Sequence, residues 1–356
     1  MSVMNVLRKA WPAVALTAAA GLAAAGLAIA PPARAAQAAQ AAQAAQAAQA
    51  ASTAPARCAV AGLHVTGKID LGRLGPSFSY VLTEAPNGDV YYALGSVVYV
   101  VRGDHAPVAM LRASAPVLAV AATSADLLVD AGRTVSAYAL RDGRLLRTWT
   151  LPRSLGPVTS AGLFPVGGTV WAYTDWATDE SGFQYASVYR FGLSSSSVHV
   201  VSANNAYPAD MAADSAGVYY EGIAGAGDYL FRAAPSGSPR RHADVDLDAP
   251  LALAAGRVYL LAMHDNQGDN TYLDAFRGST LGPVFSKRVS NSDTDIAGTG
   301  IGLLLLGAGK VSLLNPGNGH AGSVLSVPGA VILVPGPSAA VVTVSHSTTY
   351  LLRLAG

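Results

Sequence analysis

The chain has 356 residues, 51% of them hydrophobic and only 13% charged, with a formal net charge of +1. At roughly 100–200 residues per domain, that length holds one large all-β domain or two smaller ones. The near-neutral balance supplies no global field for nucleic acid or anionic lipid, so neither is an expected partner. A single cysteine, Cys58, excludes an intrachain disulfide and leaves packing and strand pairing to hold the fold.

The N-terminus reads as an export signal. Arg8 and Lys9 form a positive start, and Ala10 to Ala30 is an uncharged apolar run. Pro31, Pro32 and Ala33-Arg34-Ala35 then supply a helix break and an A-x-A processing pattern, which predicts cleavage after Ala35 and a signal peptide over 1–35. The competing reading is a retained anchor, since about 20 apolar residues can span a bilayer. Both deliver the rest of the chain across the membrane, so the expected location is the medium or the cell envelope. With cleavage, no membrane insertion remains.

Residues 36–57 form a linker of Ala-Ala-Gln triplets, with Gln37, Gln40, Gln43, Gln46 and Gln49, ended by Ser52-Thr53-Ala54-Pro55. A three-residue period misses the 3.6 of an amphipathic helix, so a frayed helix or disordered tether is expected. Arg57 before Cys58 does not suit a lipid-attachment site, and Cys58 reads as a plain thiol at the start of the domain 58–356.

From Leu63 onward, short apolar runs are punctuated by Gly, Pro, Asn-Gly and Asp-Gly, the pattern of strands and turns. The runs recur in sets of four with a period near 40, as propeller blades do. Segments such as Val97–Val101 and Leu303–Leu306 are apolar throughout, as in strands buried on both faces. A pair of β-sandwiches has no reason to repeat at this spacing.

The expected fold is therefore all-β: a seven-bladed β-propeller of four-stranded blades. The last blade offers three strands, Ala330–Val334, Ala340–Val344 and Thr349–Leu354, and Val65–Leu71 is free to supply the fourth. Pairing these would close the ring and leave no open sheet edge. The connection between blades 3 and 4 is expected as a loop between the strands Val198–Ser202 and Ala209–Ala213.

One hairpin, Ala137-Tyr138-Ala139-Leu140-Arg141-Asp142-Gly143-Arg144-Leu145-Leu146-Arg147-Thr148-Trp149, resembles the repeat of quinoprotein-type (PQQ-like, YVTN-like) propellers, V-Y-A-L-D-x-x-T-G-K-x-x-W. Val311–Gly319 is a weaker match. The resemblance implies the fold. Quinone-dependent dehydrogenases of that architecture generally carry adjacent cysteines and a calcium site, and one cysteine cannot supply the first, so no cofactor is expected.

In a propeller, loops joining second to third strands share a face with the blade connections. Those of blades 1, 2, 6 and 7 are tight, whereas blade 3 offers Asp175–Gln184, blade 4 Gly222–Asp228 and blade 5 His264–Asn270. Long loops on a rigid scaffold are where function concentrates. The candidate ligand-binding residues on this arc are Asp175, Trp176, Asp179, Glu180, Glu221, Asp228, His264, Asp265 and Asp269. The opposite face collects Arg102, Arg141, Arg144, Arg240, Arg241 and Arg277.

Oxygen-rich loops suit Ca²⁺, although Asp265–Asn270 lacks EF-hand spacing. There is no H-E-x-x-H spacing and no G-x-S-x-G elbow. The expected function is a monomeric, non-catalytic binding module for a protein, glycan or small molecule. The alternative is a lactonase-like hydrolase or lyase using Asp210, His264 and Asp295 at the channel.

Overall fold

The computed structural model describes residues 62–356 apart from 74–80, 104, 153–157, 177–184, 225–226, 236–238, 244–248, 264–269, 337–338 and 346–347, and describes strand residues 160, 175, 176, 185, 203–210, 223, 224, 227, 228, 240–243 and 263 by their backbone. Strand β1 is His64–Gly72. Blade 1 comprises β2 (Leu82–Glu84), β3 (Val90–Leu94), β4 (Val97–Val101) and β5 (Val108–Arg112). Blade 2 comprises β6 (Ala119–Ala122), β7 (Asp126–Asp130), β8 (Thr134–Ala139) and β9 (Leu145–Thr150). Blades 3 and 4 run through β10 (Val158–Val166), β11 (Thr169–Trp176), β12 (Tyr185–Gly192), β13 (Val198–Asp214), β14 (Gly217–Ala224), β15 (Gly227–Ala233) and β16 (Arg240–Ala243). Blade 5 comprises β17 (Leu251–Ala254), β18 (Arg257–Met263), β19 (Thr271–Arg277) and β20 (Pro283–Arg288). Blade 6 comprises β21 (Asp293–Thr299), β22 (Gly302–Gly307), β23 (Lys310–Leu314) and β24 (Ala321–Ser326). Blade 7 comprises β25 (Ala330–Val334), β26 (Ala339–Ser345) and β27 (Thr348–Ala355), with β1 as its outer strand.

Every blade is an antiparallel meander, and the seven together form the propeller that the period of the sequence predicts. Inner strands such as β3, β7, β22 and β26 are largely apolar because both faces are covered. In β7, Leu127 and Val129 pack on Tyr91, Ala93 and Val98 of blade 1, while Leu128 packs on Ala161, Leu163 and Val170 of blade 3. Full burial of each such side chain contributes about 1.5–3 kcal/mol. The core is thus a series of seams between blades, repeated around the ring.

The ring closes as the sequence predicts. β1 pairs antiparallel with β27, with Val65 opposite Leu354 and Ile69 opposite Leu351. Ile69 and Leu71 then join Val90 and Tyr92 of blade 1 in one core cluster, so the first strand also seals the last seam.

Donors from one blade cap carbonyls in the turns of the next. Trp149 Nε1 donates to Ser195 O at 2.6 Å, Tyr219 Oη to Gly278 O at 2.9 Å, and Tyr259 Oη to Pro316 O at 2.6 Å. Lys287 Nζ donates to Gly319 O and Arg232 to Ser279 O. These bonds satisfy turn carbonyls that strand pairing leaves over, and they fix each blade against its successor.

One expectation is corrected. The connection of blade 3 to blade 4 is no loop but the interior of β13, a strand of 17 residues. Ala206 pairs with Ala186 on one side and with Gly222 on the other, so the segment stays within the sheet and joins the two blades into one seven-stranded unit.

Candidate functional site

Two features of the ring can receive a ligand. The first is the central channel, an open space of about 700 Å³ lined by the innermost strands of all seven blades: β2, β6, β10, β13, β17, β21 and β25. These strands bring mainly Ala, Val, Leu and Ile to the channel, and the polar side chains among its described lining residues are Thr83, Glu84, Thr294 and Asp295, with no Lys, Arg or His among them.

The two carboxylates are held differently. Glu84 is buried and its Oε1 lies 3.3 Å from Arg353 Nε of blade 7. Asp295 is partly buried; its Oδ1 accepts from Ile296 N at 2.8 Å and its Oδ2 from Leu333 N at 2.6 Å. Burial pushes the Asp295 carboxyl up to about 6, and the two amides restrain the rise. Asp295 therefore ties blade 6 to blade 7 and stays largely ionised at pH 7. Its expected companions cannot be placed beside it: the Asp210 side chain and all of His264 lie outside the described residues.

The second feature is the rim formed by second-to-third strand hairpins. Here β11 and β14 each have 8 residues, against 5 in β3 and 5 in β7. Counted from the hairpins at the other strand end, the fifth residues are Tyr173 and Glu221, and the extra residues lie beyond them. At about 3.3 Å per residue, two or three extra residues raise the rim by roughly 7–10 Å. The β26–β27 hairpin of blade 7 is similarly tall.

The residues expected on exposed loops fall in several places. Asp175 and Trp176 are the last residues of β11, opposite Ala186 and Tyr185, and Asp228 lies in β15 opposite Ile223. These are strand positions, so the expected loop Gly222–Asp228 is corrected to a hairpin that narrows to residues 225–226. Asp179, Glu180, His264, Asp265 and Asp269 lie outside the described residues.

Glu221 is corrected most sharply. It is wholly buried, and its Oε2 accepts from Ala249 N in the turn entering blade 5, at 3.3 Å. By strand alternation it shares the face of Tyr219, which packs on blade 5, so it is a seam residue and no rim contact.

Sequence reasoning missed Asp130, which stands at the same strand position in blade 2. Its side chain is wholly buried against blade 3, Oδ1 accepts from Gly132 N at 2.7 Å, and Oδ2 has no hydrogen-bond partner. Burial drives its carboxyl up to about 8, with the Gly132 amide pulling the other way. The available signal was an acid ending the doubly buried run Leu127-Leu128-Val129. Among the described residues, no group of three or more His, Cys, Asp or Glu is placed to share a metal ion.

No family model matches the chain, and no curated protein matches it. Solved structures do match. A chain of the mitotic checkpoint complex aligns with TM-score 0.60 at 13% identity, covering 84% of this chain and 97% of that one. The fold is a seven-bladed β-propeller. The Neurospora crassa Pan2 WD40 domain aligns with TM-score 0.57 at 9% identity over 82% of this chain and 95% of its own. BBS1N, solved in complex with ARL6DN, aligns with TM-score 0.52 at 12% identity, covering 83% and 98%. At such identities the likeness of this propeller to the others is one of fold alone.

Proposed function

We propose that the chain is an exported, non-catalytic β-propeller that serves as a protein-interaction module, engaging its partner through the raised rim of blades 3 to 5. The observation that carries this is the height of the β11–β12 and β14–β15 hairpins above their counterparts in blades 1 and 2. Strand-supported projections hold a contact surface at fixed height without the ordering cost that a free loop pays on binding. Two of the similar structures are of complexes, the mitotic checkpoint complex and BBS1N with ARL6DN, which supports an interaction role for a propeller of this kind.

Kinship with quinoprotein-type propellers is part of the same reading, in scaffold and without their cofactor. Its support is Trp149, the aromatic end of the resembling hairpin, whose indole bonds across the seam to Ser195. Asp295, with both oxygens on backbone amides, suits a strut better than a mobile catalytic acid.

Photo-crosslinking residues placed at positions 179 and 265, and at 141 and 144 on the opposite face, test the proposal in producing cells. A discrete crosslinked species from the first pair alone is expected. Crosslinks from the second pair alone overturn it.

A further inference from the structure

The channel has a charge that the protein itself leaves unanswered. Its volume of about 700 Å³ lies within the roughly 300–1,000 Å³ usual for small-molecule sites. Phe164, Leu253, Val331 and Ile332 line it and are not fully buried, so part of its wall is apolar and suited to an alkyl chain. Glu84 and Asp295 are the acidic residues among its described lining, which includes no Lys, Arg or His.

The Glu84 charge is balanced by Arg353 across the seam. Asp295 is met only by the Ile296 and Leu333 amides, and no Lys, Arg or His pairs with it among the described residues. A carboxylate in a low-dielectric wall attracts a cation far more strongly than one in open water. Around it the wall is accessible: Thr294 is exposed, and Val331, at 46% exposure, presents a bare apolar side chain to the same space.

We infer that the central channel binds a small lipophilic monocation, an alkyl ammonium in chemical class, with its apolar body along the inner strands and its charged head at Asp295. The site is distinct from the rim and needs no partner protein. Sugars and other polyols fit it poorly, because the lining offers few hydroxyl or amide side chains to replace lost hydration. Alkyl carboxylates of the same length meet like charge at Asp295.

Titration calorimetry of the purified chain with octylammonium, octanoate and octanol tests the site. Octylammonium is expected to bind about tenfold more tightly than octanoate, with octanol between them. Asp295→Asn is expected to bring the three within about twofold of one another, a loss of about 1 kcal/mol of discrimination. In the wild type the preference for ammonium fades as pH falls through about 6, where Asp295 takes up its proton. Since Asp295→Asn also touches the seam, Val331→Trp serves as a second variant. It fills the channel from an exposed position, and it should abolish binding of all three probes while leaving the melting temperature near wild type. Equal affinity for octanoate and octylammonium overturns the inference, as does unaltered binding in folded Val331→Trp or absence of binding by every probe.

Discussion

Arg353 of β27 and Glu84 of β2 join the last blade to the first, with Nε 3.3 Å from Oε1 and the Arg353 guanidinium also donating to Gly88 O. The pair lies beside the seam that β1 seals, so ring closure has an ionic component as well as a strand pair. Breaking a buried pair from one side leaves a charge without its counterion. Arg353→Met should therefore lower unfolding stability by about 3–5 kcal/mol. Adding Glu84→Gln should recover part of that loss. Urea unfolding of the single and double variants measures both effects.

The Trp149 to Ser195 bond predicts a graded response. Trp149→Phe keeps an aromatic ring beside Phe191 but leaves the Ser195 carbonyl without its donor, and should cost about 1–2 kcal/mol. Trp149→Ala opens a cavity in the seam of blades 2 and 3 and should cost about 3–5 kcal/mol. Thermal unfolding followed by circular dichroism separates the two.

Asp130 makes stability depend on pH. Unfolded, its carboxyl titrates near 3.8; folded, it is pushed up to about 8. Between those values the folded chain binds more protons than the unfolded one, so this group's contribution to stability falls as pH rises from about 4 to about 8 and is flat above. Asp130→Asn should flatten that slope and be more stable than wild type at pH 9, by about 1–3 kcal/mol. Denaturant midpoints from pH 5 to pH 9 provide the check.

Gly298 of β21 in blade 6 lies directly against the backbone of Leu253 in blade 5. A Cβ built there lands on the backbone oxygen of Leu253. Gly298→Ala should thus force the seam apart and lower the melting temperature by more than 10 °C, on the order of several kcal/mol of overpacking strain. Gly167, where nothing lies within 4 Å of the added atom, offers a control for the loss of a glycine, with strain from its own positive φ alone.

Most of the fold was legible in the sequence because its physics repeats. Doubly apolar runs such as Val97–Val101 signalled strands covered on both faces, and the missing fourth strand of blade 7 pointed to Val65–Leu71. Less legible was the path of β13. Asn204, Asn205 and Pro208 suggest a turn by local chemistry, yet the neighbouring strands pair with the backbone on both sides. Gly222 misled in the same way: it suggested a loop and moved Glu221 to the surface, whereas β14 continues through it to Ala224 and leaves Glu221 in the seam. Asp130 escaped notice because an acid next to Ala131-Gly132 reads locally as a turn residue. Only the packing of the neighbouring blade makes it a buried one.

The rim of blades 3 to 5 is the feature on which the proposed function depends. Photo-crosslinkers at positions 179 and 265 of the full chain, expressed in its own cells, test it most directly. One defined crosslinked protein is expected from these positions and none from positions 141 and 144. A species formed only at 141 and 144, or none at any position, would contradict it.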